Sequence, residues 1–173
     1  GFKQIATQQQ PILDAASFHQ VRVRTMKSEV LQNQFELLGA IPVTTTFNEI
    51  YRQMELGNIT AQENTLSNIY SKGFYEQQPN ITLSNHGILA YAVMMNQSFW
   101  DSLQPKHQQI ILEALNEMND WQYEQALILN EESLQKMKGK KSVRFYELNN
   151  VQRQQWKTLL QPIYSNYYGR NYD

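Results

Sequence analysis

The chain has 173 residues, 41% of them hydrophobic and 18% charged, with a formal net charge of −1 and no cysteine. That composition suits one compact α/β unit, or one and a half, with a genuine core. The near-neutral charge excludes the basic footprint of a nucleic-acid binder. No run of about 18 apolar residues is present to span a membrane. The missing cysteines exclude disulfides and thiolate metal sites, which fits the cytosol or a bacterial periplasm.

The sequence opens Gly1-Phe2-Lys3 without an initiator Met, as a mature secreted protein or a piece of a longer one would. Lys3 to Thr7 reads as a short strand, followed by a polar turn ending at Pro11. Val21-Arg22-Val23-Arg24 alternates with period two, so both valines face one side and both arginines the other. Ser28 caps a helix whose buried stripe is Leu31, Phe35 and Leu38, and Gly39 stops it. Ile41 to Thr44 is a short strand, with Pro42 marking a strand start or an edge. Thr46 and Glu49 then form a capping box. The helix they open carries Phe47, Ile50, Tyr51 and Met54 on one face and ends at Gly57. A brief extended piece, Ile59-Thr60-Ala61, leads to the polar cluster Gln62-Glu63-Asn64. Polar groups at the carboxyl end of a strand are where open α/β sheets place ligands.

Leu66, Ile69 and Tyr70 mark another helix, ending near Gly73. Ile81 and Leu83 alternate in a further strand, and Gly87 to Met95 reads as a central buried one. Ser98 caps a turn around Trp100. From Pro105 a helical pattern runs to Lys138, with Ile111, Ala114, Leu115, Met118 and Trp121 on one face. Such a helix is about 50 Å long, so it bends or bridges two lobes. Val143 and Phe145 mark a last strand, and Asn150 caps a closing helix, Val151 to Leu160. An aromatic tail follows with Tyr164, Tyr167, Tyr168 and Tyr172. Strands alternating with helices predict an α/β sheet with crossovers.

Several residues invite chemistry. Arg24 ends a strand just before a helix N-terminus, where free N–H groups attract anions, and its planar fork grips a carboxylate through two bonds. It also reads as an exposed strand arginine. Asn64 offers a donor and an acceptor to a hydroxyl or carbonyl, or caps the helix that follows. Phe47 walls a pocket or belongs to the core. Glu49 and Glu63 form an acid–base pair only if Glu49 is free of its capping box. His19, His86 and His107 lack metal-ligand spacing, and His86 reads as a structural histidine. There is no G-x-S-x-G elbow, phosphate loop or dinucleotide fingerprint, so neither an enzyme nor a cofactor is expected.

Taken in order, V-R-V-R at 21–24, L-G-A-I-P-V at 38–43, F-N-E-I-Y at 47–51, G-N-I-T-A-Q-E-N at 57–64 and F-Y-E at 74–76 form a recognisable series. Asn85-His86 and N-Q-S-F-W-D-S-L at 96–103 continue it. Together they resemble the periplasmic substrate-binding proteins of TRAP (tripartite ATP-independent periplasmic) transporters, typified by dicarboxylate binders. The resemblance implies a periplasmic-binding-protein-like (type II) fold, two α/β lobes closing on a small organic acid, with a long inter-lobe helix. It places Arg24 at the carboxylate-pairing arginine, Asn64 at a ligand-contacting asparagine and Phe47 at the aromatic of the cleft. Lys3 falls where a second arginine is usual, keeping a point charge without the planar fork. Thr60-Ala61 replaces a typical Asp-Gly, and Thr25-Met26 a typical Val-Pro.

By the same resemblance, residues 1–88 form the main part of the second lobe. Residues 89–128 return into the first lobe, and 129–173 complete the second. Most of the first lobe is then absent, and the chain is expected to be a fragment of a periplasmic solute-binding component. Its implied partners are a carboxylate ligand and the membrane permease. The other expectation is a truncated, non-transporting domain used for protein interaction or self-association, a homo-oligomer through the incomplete lobe.

Overall fold

A computed structural model of the chain describes residues 1–167. Six strands form one mixed sheet: β1 (Phe2–Thr7), β2 (Arg22–Thr25), β3 (Ile41–Thr44), β4 (Ala61–Thr65), β5 (Asn80–Ile88) and β6 (Arg144–Glu147), in the order β3-β2-β4-β1-β5-β6. β1 is antiparallel to β4 and β5, whereas β2 runs parallel to β3 and β4, and β5 to β6. The parallel pairs need crossovers, and helices supply them: α1 (Glu29–Leu37) and α2 (Ile50–Glu55) among β2, β3 and β4, and α5 (Gln97–Ser102) and α6 (Pro105–Lys138) between β5 and β6, while α3 (Leu66–Ser71) and α4 (Phe74–Gln77) join β4 to β5. α7 (Asn150–Leu159) and α8 (Gln161–Tyr167) follow the last strand.

Strand alternation divides the core. Ile5, Val23 and Ala61 point to one face, where Phe18, Phe35, Leu38, Leu148 and Trp156 cover them. Ala6 and Ile81 point to the other, under Ile50, Met54, Ile69, Phe74 and Met137. On the first face, the Phe18 ring lies 6.0 Å from Phe35 and 5.0 Å from Trp156. Burying each side chain of that size contributes about 1.5–3 kcal/mol. Arg153 of α7 donates to the Ser84 carbonyl at 2.7 Å, which fixes α7 against β5.

The V-R-V-R alternation holds. Val23 is fully buried, Arg22 donates to the backbone carbonyls of Gly57 and Asn58, and Arg24 turns to the face of the second cluster. Gly39, Gly57 and Gly73 all have positive φ, which suits the helix stops read at 39 and 57.

Five local expectations are corrected. Gln62-Glu63-Asn64 does not follow a strand; it is the body of β4, paired to β1. Thr65, not Asn64, caps α3, its hydroxyl accepting from Asn68 N at 3.4 Å. Asn96 rather than Ser98 caps α5, and Asn149 rather than Asn150 caps α7. In each case a neighbouring short polar side chain reaches the free N–H groups from the extended residue before the helix.

The fifth correction is the largest. Gly87 to Met95 is not a central buried strand: β5 ends at Ile88, and Leu89 exchanges backbone hydrogen bonds with Gly1 at 2.9 and 3.0 Å. Beyond it the chain has no strand partner among the described residues, and Tyr91 and Met94 are 88% and 87% exposed. The apolar run has strand composition without a neighbour to pair.

α6 is a single helix of 34 residues, about 51 Å long. Its C-terminal third packs on α3, with Ser133 and Met137 buried, while Trp121, Leu127 and Leu129 stay exposed. The closing segment is two helices instead of one helix and a tail; Tyr164 and Tyr167 lie in α8, and Tyr168 and Tyr172 lie outside the described residues.

Candidate functional site

β2 and β4 end together, and β1 begins beside them. Their ends, with the 3₁₀ turn Phe47–Glu49 and the start of α3, enclose a cavity of about 240 Å³. Lys3, Arg24, Met26, Phe47, Glu63, Asn64, Asn68, Leu89 and Tyr91 line it. All four residues singled out in the sequence are therefore brought together, although 61 positions separate Lys3 from Asn64.

Arg24 is 5% exposed, so it is not the exposed strand arginine that the sequence also allowed. Its Nε and Nη2 donate to the Thr45 carbonyl at 3.1 and 2.8 Å, which fixes the guanidinium plane. Nη1 has no partner among the described residues and remains available to an acceptor in the cavity. Burial lowers the Arg24 pKa from its ordinary value, and the negative charge of Glu63 partly offsets this. Arginine stays protonated throughout the accessible pH range, so the cavity keeps a fixed cation.

Asn64 is almost wholly buried. Its Oδ1 accepts from Thr65 N at 3.1 Å and from Asn68 Nδ2 at 2.7 Å. With the acceptor engaged, the amide orientation is set and Nδ2 is left as a donor on the cavity wall. Phe47 packs edge-on against Phe74 at 5.9 Å and lies under the Lys72 ammonium, 5.6 Å from the ring centroid. It is both core aromatic and cavity wall.

Lys3 behaves differently. Its ammonium donates to Glu63 Oε1 at 2.8 Å, with the two side chains 7% and 1% exposed. Glu63 Oε2 faces His86 Nε2 at 3.5 Å, and His86 Nδ1 meets Ser84 Oγ at 2.7 Å. The imidazole packs between Phe35 and Trp156, 6.0 and 6.4 Å between centroids. His86 is thus a structural histidine that also faces a buried carboxylate.

Glu49 lines a neighbouring open groove, not this cavity. Its carboxylate accepts from the Thr46 hydroxyl at 2.7 Å and from Thr46 N at 3.3 Å. Those bonds, the hydroxyl first, hold its pKa below the usual carboxylate value. Glu63 is committed to Lys3, so no acid–base pair is formed. Among the described residues no group of three or more His, Asp or Glu could hold a metal.

Met26, Asn68, Leu89 and Tyr91 were not singled out as cavity residues from sequence. Met26 carried a usable signal, standing two residues after Arg24. Asn68 carried one as well, a helical turn after Asn64. Leu89 and Tyr91 were hidden inside the apolar run read as a buried strand.

Residues 1–171 match the family model described as bacterial extracellular solute-binding protein, family 7. The chain belongs to this family. Among family members, the C4-dicarboxylate-binding protein DctB of Bacillus subtilis is 39% identical over 96% of this chain and 48% of its own length. The ectoine-binding periplasmic protein TeaA of Halomonas elongata is 34% identical over 88% of this chain and 45% of its own. The chain spans about half the length of the curated relatives it matches.

Among solved family structures, a TRAP periplasmic solute-binding protein from Shewanella oneidensis with bound succinate superimposes with a TM-score of 0.90 at 36% identity, covering 96% of this chain and 54% of that one. The TeaA structure gives 0.91 at 31% identity, with the same coverage of 96% and 54%. The fold described above is accordingly one lobe and the long helix of the family's two-lobe architecture.

Proposed function

We propose that this chain supplies one wall of the ligand cleft in a periplasmic solute-binding component of a TRAP transporter, which captures a small organic acid by its carboxylate and delivers it to the membrane permease. The observation that carries the reading is the convergence of Arg24, Asn64 and Phe47 on one cavity, with spare N–H donors on Arg24 and Asn64. The guanidinium and the amide suit a carboxylate, and charge-assisted bonds in a site screened from water are stronger than neutral ones. Relatives named for C4-dicarboxylates, and the Shewanella protein with succinate, support an organic acid as the class of ligand. No helix of the described residues is long and apolar enough to cross a membrane.

In this reading residues 1–88 are the main part of the second lobe, 89–128 belong with the first, and 129–173 return to the second. The exposure of Tyr91, Val93, Met94, Trp121 and Leu127 supports a packing partner for the middle segment. The test is Arg24→Ala in the complete protein, titrated calorimetrically with a panel of organic acids. The expected result is loss of binding with the fold retained; unchanged affinity removes Arg24 from the site and the reading with it.

The same exposed residues favour a second reading, self-association through that apolar surface. It predicts a mass by light scattering that rises with concentration and no acid bound.

A further inference from the structure

Three charged residues line the cavity, and they are not equivalent. Arg24 keeps Nη1 free, bound only to a backbone carbonyl through its other nitrogens. Lys3 donates to Glu63 Oε1 at 2.8 Å in a pair that is buried on both sides. Glu63 also acts on Arg24, its charge opposing the effect of burial on the guanidinium. Two cations and one anion leave one net positive charge on this wall.

We propose that Glu63 is a specificity-determining residue: by claiming Lys3 it leaves Arg24 as the one uncompensated cation, so that this wall holds a single carboxylate and not two. The proposal rests on the carboxylate-binding reading above and deepens it. Its physical basis is like-charge exclusion. A second carboxylate approaching Lys3 meets the Glu63 carboxylate, buried and fixed, in a setting where water screens little. The neutral remainder of a ligand meets the walls Met26, Phe47 and Leu89 without that penalty. Glu63 is held where it acts by Lys3 at 2.8 Å, and its other oxygen faces His86 Nε2 at 3.5 Å without a hydrogen bond. The substrate class that follows is an organic acid that this lobe grips by one carboxylate, with an uncharged polar or apolar remainder against β1 and β4.

The test is a charge series in the complete protein. Succinate and succinamate have the same chain length, and the second replaces one carboxylate by a neutral amide. Binding of both is measured by calorimetry at about pH 8 for the native protein, Glu63→Gln, Lys3→Met and the Lys3→Met/Glu63→Gln double variant. The wall then carries one, two, zero and one net positive charges. Glu63→Gln should raise the succinate-to-succinamate affinity ratio at least about tenfold, because Lys3 becomes a second clamp. Lys3→Met should lower the ratio, and the double variant should restore it to the native value. If Glu63→Gln does not fold, the contrast between Lys3→Met and the double variant still decides, since equal ratios there overturn the proposal. A ratio unchanged across the series, with both probes bound, overturns the charge role of Glu63 alone. If no form binds either probe, the carboxylate-binding reading fails and the proposal falls with it.

Discussion

On one face of β1 and β4, Lys3, Glu63, His86 and Ser84 form a chain of polar contacts under Phe35 and Trp156. On the other face, Arg24 and Asn64 are equally buried, yet each retains a nitrogen with no partner among the described residues. Arg24 stands on β2, beside β4, and the burial is similar; what differs is where the unpaired atoms lie, since Glu63 Oε2 and His86 Nε2 are sealed in the interior and the Arg24 and Asn64 nitrogens are not. Arg24 and Asn64 spend part of their hydrogen-bonding capacity on backbone and on Asn68, which fixes their orientation, and leave the rest facing a cavity. Donors left open in this way suit an anion, which is the basis of the proposed carboxylate site. The Lys3–Glu63 pair ties β1 to β4, and in the proposed function Arg24 and Asn64 offer the donors to a ligand in the cavity that all four line.

The largest effect expected from breaking this contrast is on stability. Lys3→Met strands the Glu63 carboxylate in the core and should cost about 3 kcal/mol by denaturant unfolding. Removing both charges in Lys3→Met/Glu63→Gln should recover most of that loss, because the penalty is that of the orphaned charge and not of the missing pair. Recovery of none of it would show that the pair itself carries the stability. On the ligand face, Asn64→Ala should weaken acid binding about tenfold, or about 1.4 kcal/mol, with a small change in melting temperature.

Away from both clusters the effects become local. Asn149→Ala removes the cap of α7, the helix that holds Trp156 and Arg153 against the sheet, and should cost about 1 kcal/mol without altering ligand affinity. The smallest effect is that of pH on the turn at Phe47. The Glu49 carboxyl has a lower pKa folded than unfolded, so its contribution is complete above the ordinary glutamate pKa and is lost as pH falls through the folded value. Glu49→Gln should flatten that acid-side decline in an unfolding series at low salt, while the native protein keeps it.

How much of this was legible in the sequence depended on range. Period-two alternation at 21–24 and the Thr46–Glu49 box are decided by neighbours in the chain, and both stand in the structure. The family resemblance brought Arg24, Asn64, Phe47 and Lys3 to one site, and the cavity contains all four. What could not be read was pairing across the sheet. Glu63 looked like a catalytic candidate because its partner, Lys3, lies sixty residues away on an antiparallel strand. Gln62-Glu63-Asn64 reads as a polar cluster after a strand; β4 accommodates Glu63 and Asn64 because Lys3 and Asn68 bring matching groups, while the Gln62 amide is buried without a partner among the described residues. The run from Leu89 to Met95 failed for the opposite reason, having strand composition and no strand to join.

The central claim is that Arg24, held by the Thr45 carbonyl at the ends of β2 and β4, is the carboxylate anchor. Calorimetric titration of the complete protein and its Arg24→Ala variant with the tightest-binding organic acid tests it most directly. The account predicts at least about a hundredfold loss of affinity, with the unfolding midpoint of the free protein little changed. Equal affinity in the two proteins would contradict it.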